Sequence, residues 1–309
     1  MPYVTISSIS RENLMNSAEQ RWQAVLDTRP DLEPALRLQR RLLALVADLA
    51  GTLEGGRLPR LSLPPKYLAA KLARGVPVFA GEPIPLPVPV LKATLLGLCD
   101  ALQDGGAGEA AAHIRQAVDS GHIEPGSLLT ASLSRDQGAI RTGAVHRGLS
   151  PDLVWLVAEL AVSPFAHILQ RMLFAGAIAG NLKAALDAWN RGYCPACGSW
   201  PAVAEVVGGH RTLRCSFCAS AWELTTYACI YCEESGEGFV TAAPNEERKD
   251  RRLEVCATCG GYLKTVDLPE LSPFPLLSIS DIETTDLDIA AMEHRYARPP
   301  LKDFGSRKG

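Results

Sequence analysis

Eight of the nine cysteines stand in four C-x-x-C pairs: Cys194/Cys197, Cys215/Cys218, Cys229/Cys232 and Cys256/Cys259. Two cysteines separated by two residues can curl so that both sulfurs face one centre. Backbone N–H groups then point at the thiolates, and two such pairs supply the four ligands of a tetrahedral metal site. Grouping neighbours is the simplest assignment. Cys194, Cys197, Cys215 and Cys218 would hold one metal ion, and Cys229, Cys232, Cys256 and Cys259 a second. The spacer between the first two pairs falls in the usual range for a four-cysteine zinc site, and that between the last two runs slightly beyond it. Four sulfurs in a tetrahedron suit zinc and equally a single iron, so the spacing leaves the metal open.

Other cysteine chemistry fits less well. An even number of paired cysteines also permits disulfides, which belong to oxidising compartments. One pair alone would suit thiol redox chemistry, but four in tandem fit metal ligation better. Cys99, in the apolar run LLGLCD, reads as an ordinary buried thiol. No G-x-S-x-G or P-loop occurs, and Gly105, Gly106 and Gly108 lack the last glycine of a dinucleotide motif. His113, His122, His146 and His167 are scattered without ligand spacing, and His210 lies inside the first cysteine region, whose four thiolates already complete a site. The run from Glu246 to Arg252 mixes charges of both signs and reads as a solvated loop. The chain shows metal ligands but no catalytic constellation.

The elements that must hold these cysteines are short. Gly198 and Gly260 follow the second cysteine of their pairs, where a knuckle needs a permissive backbone. Ala202 to Val207 and His210 to Arg214 flank Gly208-Gly209, a two-residue hairpin turn. The first module therefore reads as a short β-hairpin capped by two knuckles, too small to fold through its own core, so that metal supplies much of its folding free energy.

Before Trp189 the sequence is helical in period. Glu19 to Leu26 forms one helix with Trp22, Val25 and Leu26 inward. Leu38, Leu42, Leu45 and Leu49 predict an apolar stripe on a second. Ser150-Pro151 and Ser163-Pro164 each read as a helix start, a capping residue followed by a proline whose missing N–H does no harm there. Asn181 to Trp189 would close the helical part. Pro77, Pro83, Pro85, Pro87 and Pro89, alternating with apolar residues, predict an extended crossover in place of a helix. Asp281 to Arg298 predicts one acidic, partly amphipathic helix. The fold class is α+β and multidomain: a helical domain over 1–190, four-cysteine modules over 191–225 and 226–268, and a tail with a helix over 269–309.

Composition narrows the partners. Apolar residues at 47% and charged residues at 21% describe a globular chain able to bury a large core. A net charge of −3 and an aromatic content of 6% argue against nucleic acid bound through phosphates and stacked bases. The residues MPYVTISSISRENLMNSAEQ lack the pattern of a secretory signal, which points to the cytoplasm. The apolar stretch from Leu153 to Leu186 is interrupted by Glu159, Pro164, Arg171 and Lys183, so it reads as core helices and not as a membrane span.

The cysteine region resembles the formate dehydrogenase accessory protein FdhE family. The likeness is carried by CPACGSWP from Cys194, RCSFCASAW from Arg214, CIYCEESG from Cys229 and CATCGGYLKTVDL from Cys256, and the tail DLDIAAMEHRYAR is similar to that family's end. The resemblance covers roughly the last third of the chain. It implies a helical domain followed by two rubredoxin-like modules, with the eight paired cysteines as the residues concerned. It also implies two metal ions, iron before zinc, and a cytoplasmic maturation factor without catalysis of its own. The implied partner is the catalytic subunit of respiratory formate dehydrogenase.

Two rival readings remain at this level. A zinc-ribbon nucleic-acid-binding protein would need a basic, aromatic face, for which His210, Arg211 and Arg214 offer a small patch among several glutamates. A rubredoxin-like electron-transfer protein would need a reversibly reduced iron.

Overall fold

The helical period of the first half becomes helix almost throughout. The structure, a computed structural model, describes residues 3–6, 9–56, 63–175, 180–243 and 250–302. In chain order the helices are α1 (Arg11–Thr28), α2 (Glu33–Gly55), α3 (Pro65–Ala73), α4 (Val88–Leu102), α5 (Gly108–Asp119), α6 (Pro125–Leu133), α7 (Gln137–His146), α8 (Pro151–Ala175), α9 (Asn181–Asp187), α10 (Leu277–Glu283) and α11 (Thr285–Glu293). The strands are β1 (Tyr3–Val4), β2 (Pro201–Val207), β3 (His210–Cys215), β4 (Ala221–Trp222), β5 (Phe239–Ala242), β6 (Arg251–Cys256) and β7 (Tyr262–Asp267). The described residues form two compact units. One draws on Ser10–Ser62 and Phe79–Gln170, the other on Met1–Ile9, Leu63–Val78 and Arg171–Lys302.

In the helical unit Ser10 caps α1, its hydroxyl accepting from the Asn13 N–H at 3.2 Å. Trp22 and Val25 are buried on α1, and the Trp22 indole donates to Gln39 Oε1 at 2.7 Å, fixing α1 against α2. The buried stripe of α2 is Leu36, Leu43, Val46, Leu49 and Leu53. Of the leucines read from sequence only Leu49 is fully buried. Leu38, Leu42 and Leu45 sit half-buried at the stripe's flank, because in so leucine-rich a helix several faces satisfy the same period. Leu91, Leu95 and Leu98 of α4 and Ile114 of α5 complete this side of the core.

Two proline readings are corrected. No strand runs through the proline segment, and its last part is helical: α4 starts at Val88, with Pro89 in its first turn, where a missing N–H costs nothing. Val78 and Ile84 are nonetheless buried, as their interleaved position implied. Nor does a new helix start at Ser163-Pro164; α8 is one helix with Pro164 inside it. Pro164 deprives the Leu160 carbonyl of its donor, and the Ser163 hydroxyl replaces it at 3.3 Å. Ser163→Ala is expected to lower stability by about 1 kcal/mol in chemical denaturation, the scale of one orphaned buried acceptor. A change under a few tenths would show that the carbonyl is satisfied otherwise. From Pro151 to Phe174 this helix is long and apolar enough to cross a bilayer, but 67% of its apolar 18-residue window is buried within the protein, which accounts for its apolar character.

In the other unit the strands form one sheet in the order β1-β4-β3-β2-β7-β6-β5. Each cysteine region contributes an antiparallel set, β2–β3–β4 and β5–β6–β7. The two sets join through a parallel ladder of β2 on β7, from Val203↔Lys264 to Val206↔Asp267. The expected hairpin is present, with Gly208 and Gly209 at φ 56° and 85°. Of the run from Glu246 to Arg252, read as a charged loop, Glu246 to Lys249 lie outside the described residues, and the reading is corrected at Arg251 and Arg252, which open β6 and pair with β7.

The tail is two short helices and not one. α10 ends at Glu283 and α11 starts at Thr285; between them buried Thr284 turns its hydroxyl back to the Ser280 carbonyl at 2.6 Å. Leu287 and Ala291 of α11 pack on Leu253, Val255 and Tyr262, and Leu277 of α10 packs on Val203 and Val266. Fully buried Lys264 anchors both helices, donating to Asp281 at 2.6 Å and Asp288 at 2.7 Å. Burial would raise the Asp281 carboxyl, but Lys264 and Arg298 outweigh it and hold it below the usual carboxylate range.

Candidate metal centres

The sheet brings the eight paired cysteines into two clusters, grouped as their order implied. Within Cys194, Cys197, Cys215 and Cys218, and within Cys229, Cys232, Cys256 and Cys259, the sulfurs all lie within 4.8 Å of one another. In the first cluster Cys194–Cys218, Cys197–Cys215 and Cys197–Cys218 are separated by 3.6, 3.4 and 3.7 Å. In the second, Cys229–Cys259 and Cys232–Cys256 are each 3.6 Å apart. A tetrahedron with metal–sulfur bonds of about 2.3 Å has edges of about 3.8 Å, so both donor sets fit a single metal ion. None of the five histidines singled out by sequence joins a cluster.

Each pair is a knuckle with the same backbone. In three of them the N–H of the residue after the second cysteine bonds the carbonyl of the first: Gly198→Cys194 at 3.0 Å, Glu233→Cys229 at 2.9 Å and Gly260→Cys256 at 2.8 Å. The first cysteine's N–H in turn bonds the carbonyl five residues on, from Cys194→Ser199 to Cys256→Gly261. Inside the first site Ala196 N–H donates to Cys194 Sγ, and Phe217 and Cys218 N–H to Cys215 Sγ, each at 3.4 Å. These donors point at sulfur, and they stabilise thiolate.

The knuckle turn requires a left-handed residue after its second cysteine. Gly198 and Gly260 meet this at φ 82° and 68°, as expected from sequence, but Ala219 and Glu233 take the same position at φ 54° and 66°. Only the repeated register of the four pairs could have revealed those two. Sequence reading also missed Ser199 and Ser220, two residues past the second cysteine of their pairs. Their buried hydroxyls stand 3.3 Å from Cys197 Sγ and 3.2 Å from Cys218 Sγ. The corresponding residues in the second module are Glu234 and Gly261, which offer no hydroxyl.

Exposure divides the clusters. Cys194, Cys215 and Cys218 are 0% exposed and Cys197 3%, whereas Cys232 and Cys259 of the second cluster are exposed. Burial pushes the Cys194 and Cys218 thiols well above their ordinary range, and Cys229 also rises through burial. At Cys256 burial is outweighed by the Cys259 and Thr258 N–H groups, and the thiol is drawn down. An aromatic file connects the modules: Tyr193 meets Trp200 at 5.9 Å, and Trp200 meets Tyr231, inside the third knuckle, at 4.9 Å. Gly192 is needed where the chain enters the first knuckle, since a Cβ there would lie 1.8 Å from the Ile230 carbonyl oxygen.

The basic patch read from sequence is not a basic surface. Arg214 is 0% exposed and forms an ion pair with equally buried Glu205. Arg211 is bound bidentately by Glu254, and of the three His210 alone stands exposed. The charges that a phosphate backbone would need are spent inside the sheet.

No family model matches the chain. Curated relatives do. The FdhE homolog of Aquifex aeolicus is 27% identical over 135 residues, covering 42% of this chain and 47% of that protein. FdhE of Escherichia coli O127:H6 is 33% identical over 118 residues, covering 37% and 38%. The FdhE homolog of Haemophilus influenzae (strain PittGG) is 35% identical over 120 residues, covering 37% and 39%. The matched stretches thus span about half, or less, of the length of these relatives. The crystal structure of the FdhE protein from Pseudomonas aeruginosa shares the fold over 98% of both chains, with a TM-score of 0.60 and 22% identity.

Proposed function

We propose that the chain is a member of the FdhE family and, on that premise, a cytoplasmic accessory factor in the maturation of respiratory formate dehydrogenase. In this reading it binds the catalytic subunit of that enzyme and performs no catalysis of its own. Cys194, Cys197, Cys215 and Cys218 ligate one metal ion and Cys229, Cys232, Cys256 and Cys259 a second, with iron favoured over zinc. The observation that carries the reading is the closure of all four C-x-x-C pairs into two four-sulfur clusters in a chain that matches FdhE relatives.

The physical chemistry supports an accessory part. Four thiolates fill a tetrahedron, so a metal held there has no vacant position for substrate. When bound it supplies a cross-link and, as iron, a one-electron centre tuned by exposure and by hydrogen bonds to sulfur. The nucleic-acid reading loses its support with the pairing of Arg211 and Arg214.

The test is affinity purification of the tagged chain from its own cells while formate dehydrogenase is expressed, beside a Cys229→Ser/Cys232→Ser variant. The catalytic subunit is expected with the wild type, and at least tenfold less of it with the variant. Recovery with both would place recognition away from the second cluster. Recovery with neither would sink the accessory reading.

A further inference from the structure

Two clusters with the same donor set have been placed in different surroundings. The first is sealed: its four cysteines are at most 3% exposed, and buried Phe217 and Trp222 lie beside it in sequence. The Ser199 and Ser220 hydroxyls stand against two of its sulfurs. The second shows Cys232 and Cys259 to solvent, the exposed pair among the nine cysteines. A cavity of about 590 Å³ also reaches its Cys229, walled by Trp189, Arg191, Ile230 and Glu233. Metal exchange requires an incoming ligand to approach the coordination sphere, so access decides the rate when donors are equal.

Resting on the reading that both clusters hold metal, we infer that the sites divide their labour. The Cys194/Cys197/Cys215/Cys218 site is an inert fastener of the sheet. The Cys229/Cys232/Cys256/Cys259 site is exchangeable, open through Cys232 and Cys259 to soft ligands of the thiol class. Exchange there leaves the β2–β3 hairpin and its own four-sulfur node in place.

Full-length protein loaded with two zinc ions would be treated with EDTA and N-ethylmaleimide, and followed by native mass spectrometry and peptide mapping. One metal is expected to leave per chain, with Cys229, Cys232, Cys256 and Cys259 alkylated at least tenfold faster than Cys194, Cys197, Cys215 and Cys218. Cys99, fully buried in α4 and outside both clusters, reports unfolding of the helical unit and should stay unmodified in that interval. Alkylation of both sets together, or of the first set first, overturns the inference. Failure of the loaded chain to hold any metal, with all eight thiols alkylated before EDTA is added, removes the metal reading itself. As a second check, Cys232→Ser/Cys259→Ser should keep one slowly released zinc. A rapidly released zinc in that variant would equally overturn the division.

Discussion

Serine in place of Cys215 and Cys218 is expected to unfold the cysteine-bearing sheet as a whole, and not merely to loosen one turn. These cysteines end β3 and begin the return to β4, and β4 in turn carries β1. A structural zinc site contributes on the order of 10–16 kcal/mol of apparent folding free energy in small modules. Whole domains are stable by only about 5–15 kcal/mol. Losing half the ligands therefore removes more than the sheet has in reserve. Hydrogen exchange of the full-length variant should show protection lost from β2, β3, β6 and β7 and kept in α4 and α5, which have their own leucine core. Retained protection in β2 and β3 would mean that the hairpin stands without its metal.

The second large effect is expected at Arg214. Its guanidinium and the Glu205 carboxylate are both 0% exposed, and the pair is tied to the segment after β7: Arg214 Nη2 donates to the Ser272 carbonyl at 2.7 Å, and the Ser272 N–H donates to Glu205 Oε2 at 3.1 Å. Arg214→Ala leaves a buried carboxylate facing one N–H. Breaking a buried pair from one side costs about 3–5 kcal/mol. The pair is itself imperfectly satisfied, since Glu205 Oε1 and Arg214 Nε have no hydrogen-bond partner among the described residues. The double change Glu205→Leu with Arg214→Met should therefore recover most of the loss, because it removes two charges that the interior solvates poorly. Urea denaturation of the metal-loaded proteins measures both. A single variant within 1 kcal/mol of wild type would contradict the burial, and a double variant worse than the single would show that the pair is net stabilising.

What was legible in the sequence was what is encoded locally. The C-x-x-C pairs, the Gly208-Gly209 hairpin and the left-handed positions at Gly198 and Gly260 each rest on a few adjacent residues, and each is found where it was read. Ala219 and Glu233 take the same strained conformation without the glycine that announces it, because the closing knuckle over-determines the turn. The helix boundaries at Ser163-Pro164 and in the tail failed for a different reason. A proline stop is overridden when a neighbouring hydroxyl replaces the lost donor, and an acidic helix is cut when a threonine bonds back to its own turn. Least legible was what distant segments do together. Nothing local in Leu63–Val78 says that it joins the cysteine-bearing unit, nor in Arg214 that its charge is spent inward on Glu205.

The parallel ladder between β2 and β7 makes the two sites partners in one equilibrium. β2 leaves the knuckle of Cys194 and Cys197, β7 leaves that of Cys256 and Cys259, and the strands are paired from Val203↔Lys264 to Val206↔Asp267. Metal at one site orders the strand against which the other must form. By thermodynamic linkage each occupancy then raises the affinity of the other by the same factor. At equilibrium half-loaded chains are accordingly rarer than independent binding would give, and the one-metal chain left by EDTA persists only because the sealed first site releases its ion slowly. The accessible second site thereby becomes a gauge of whether the hidden first one has been filled.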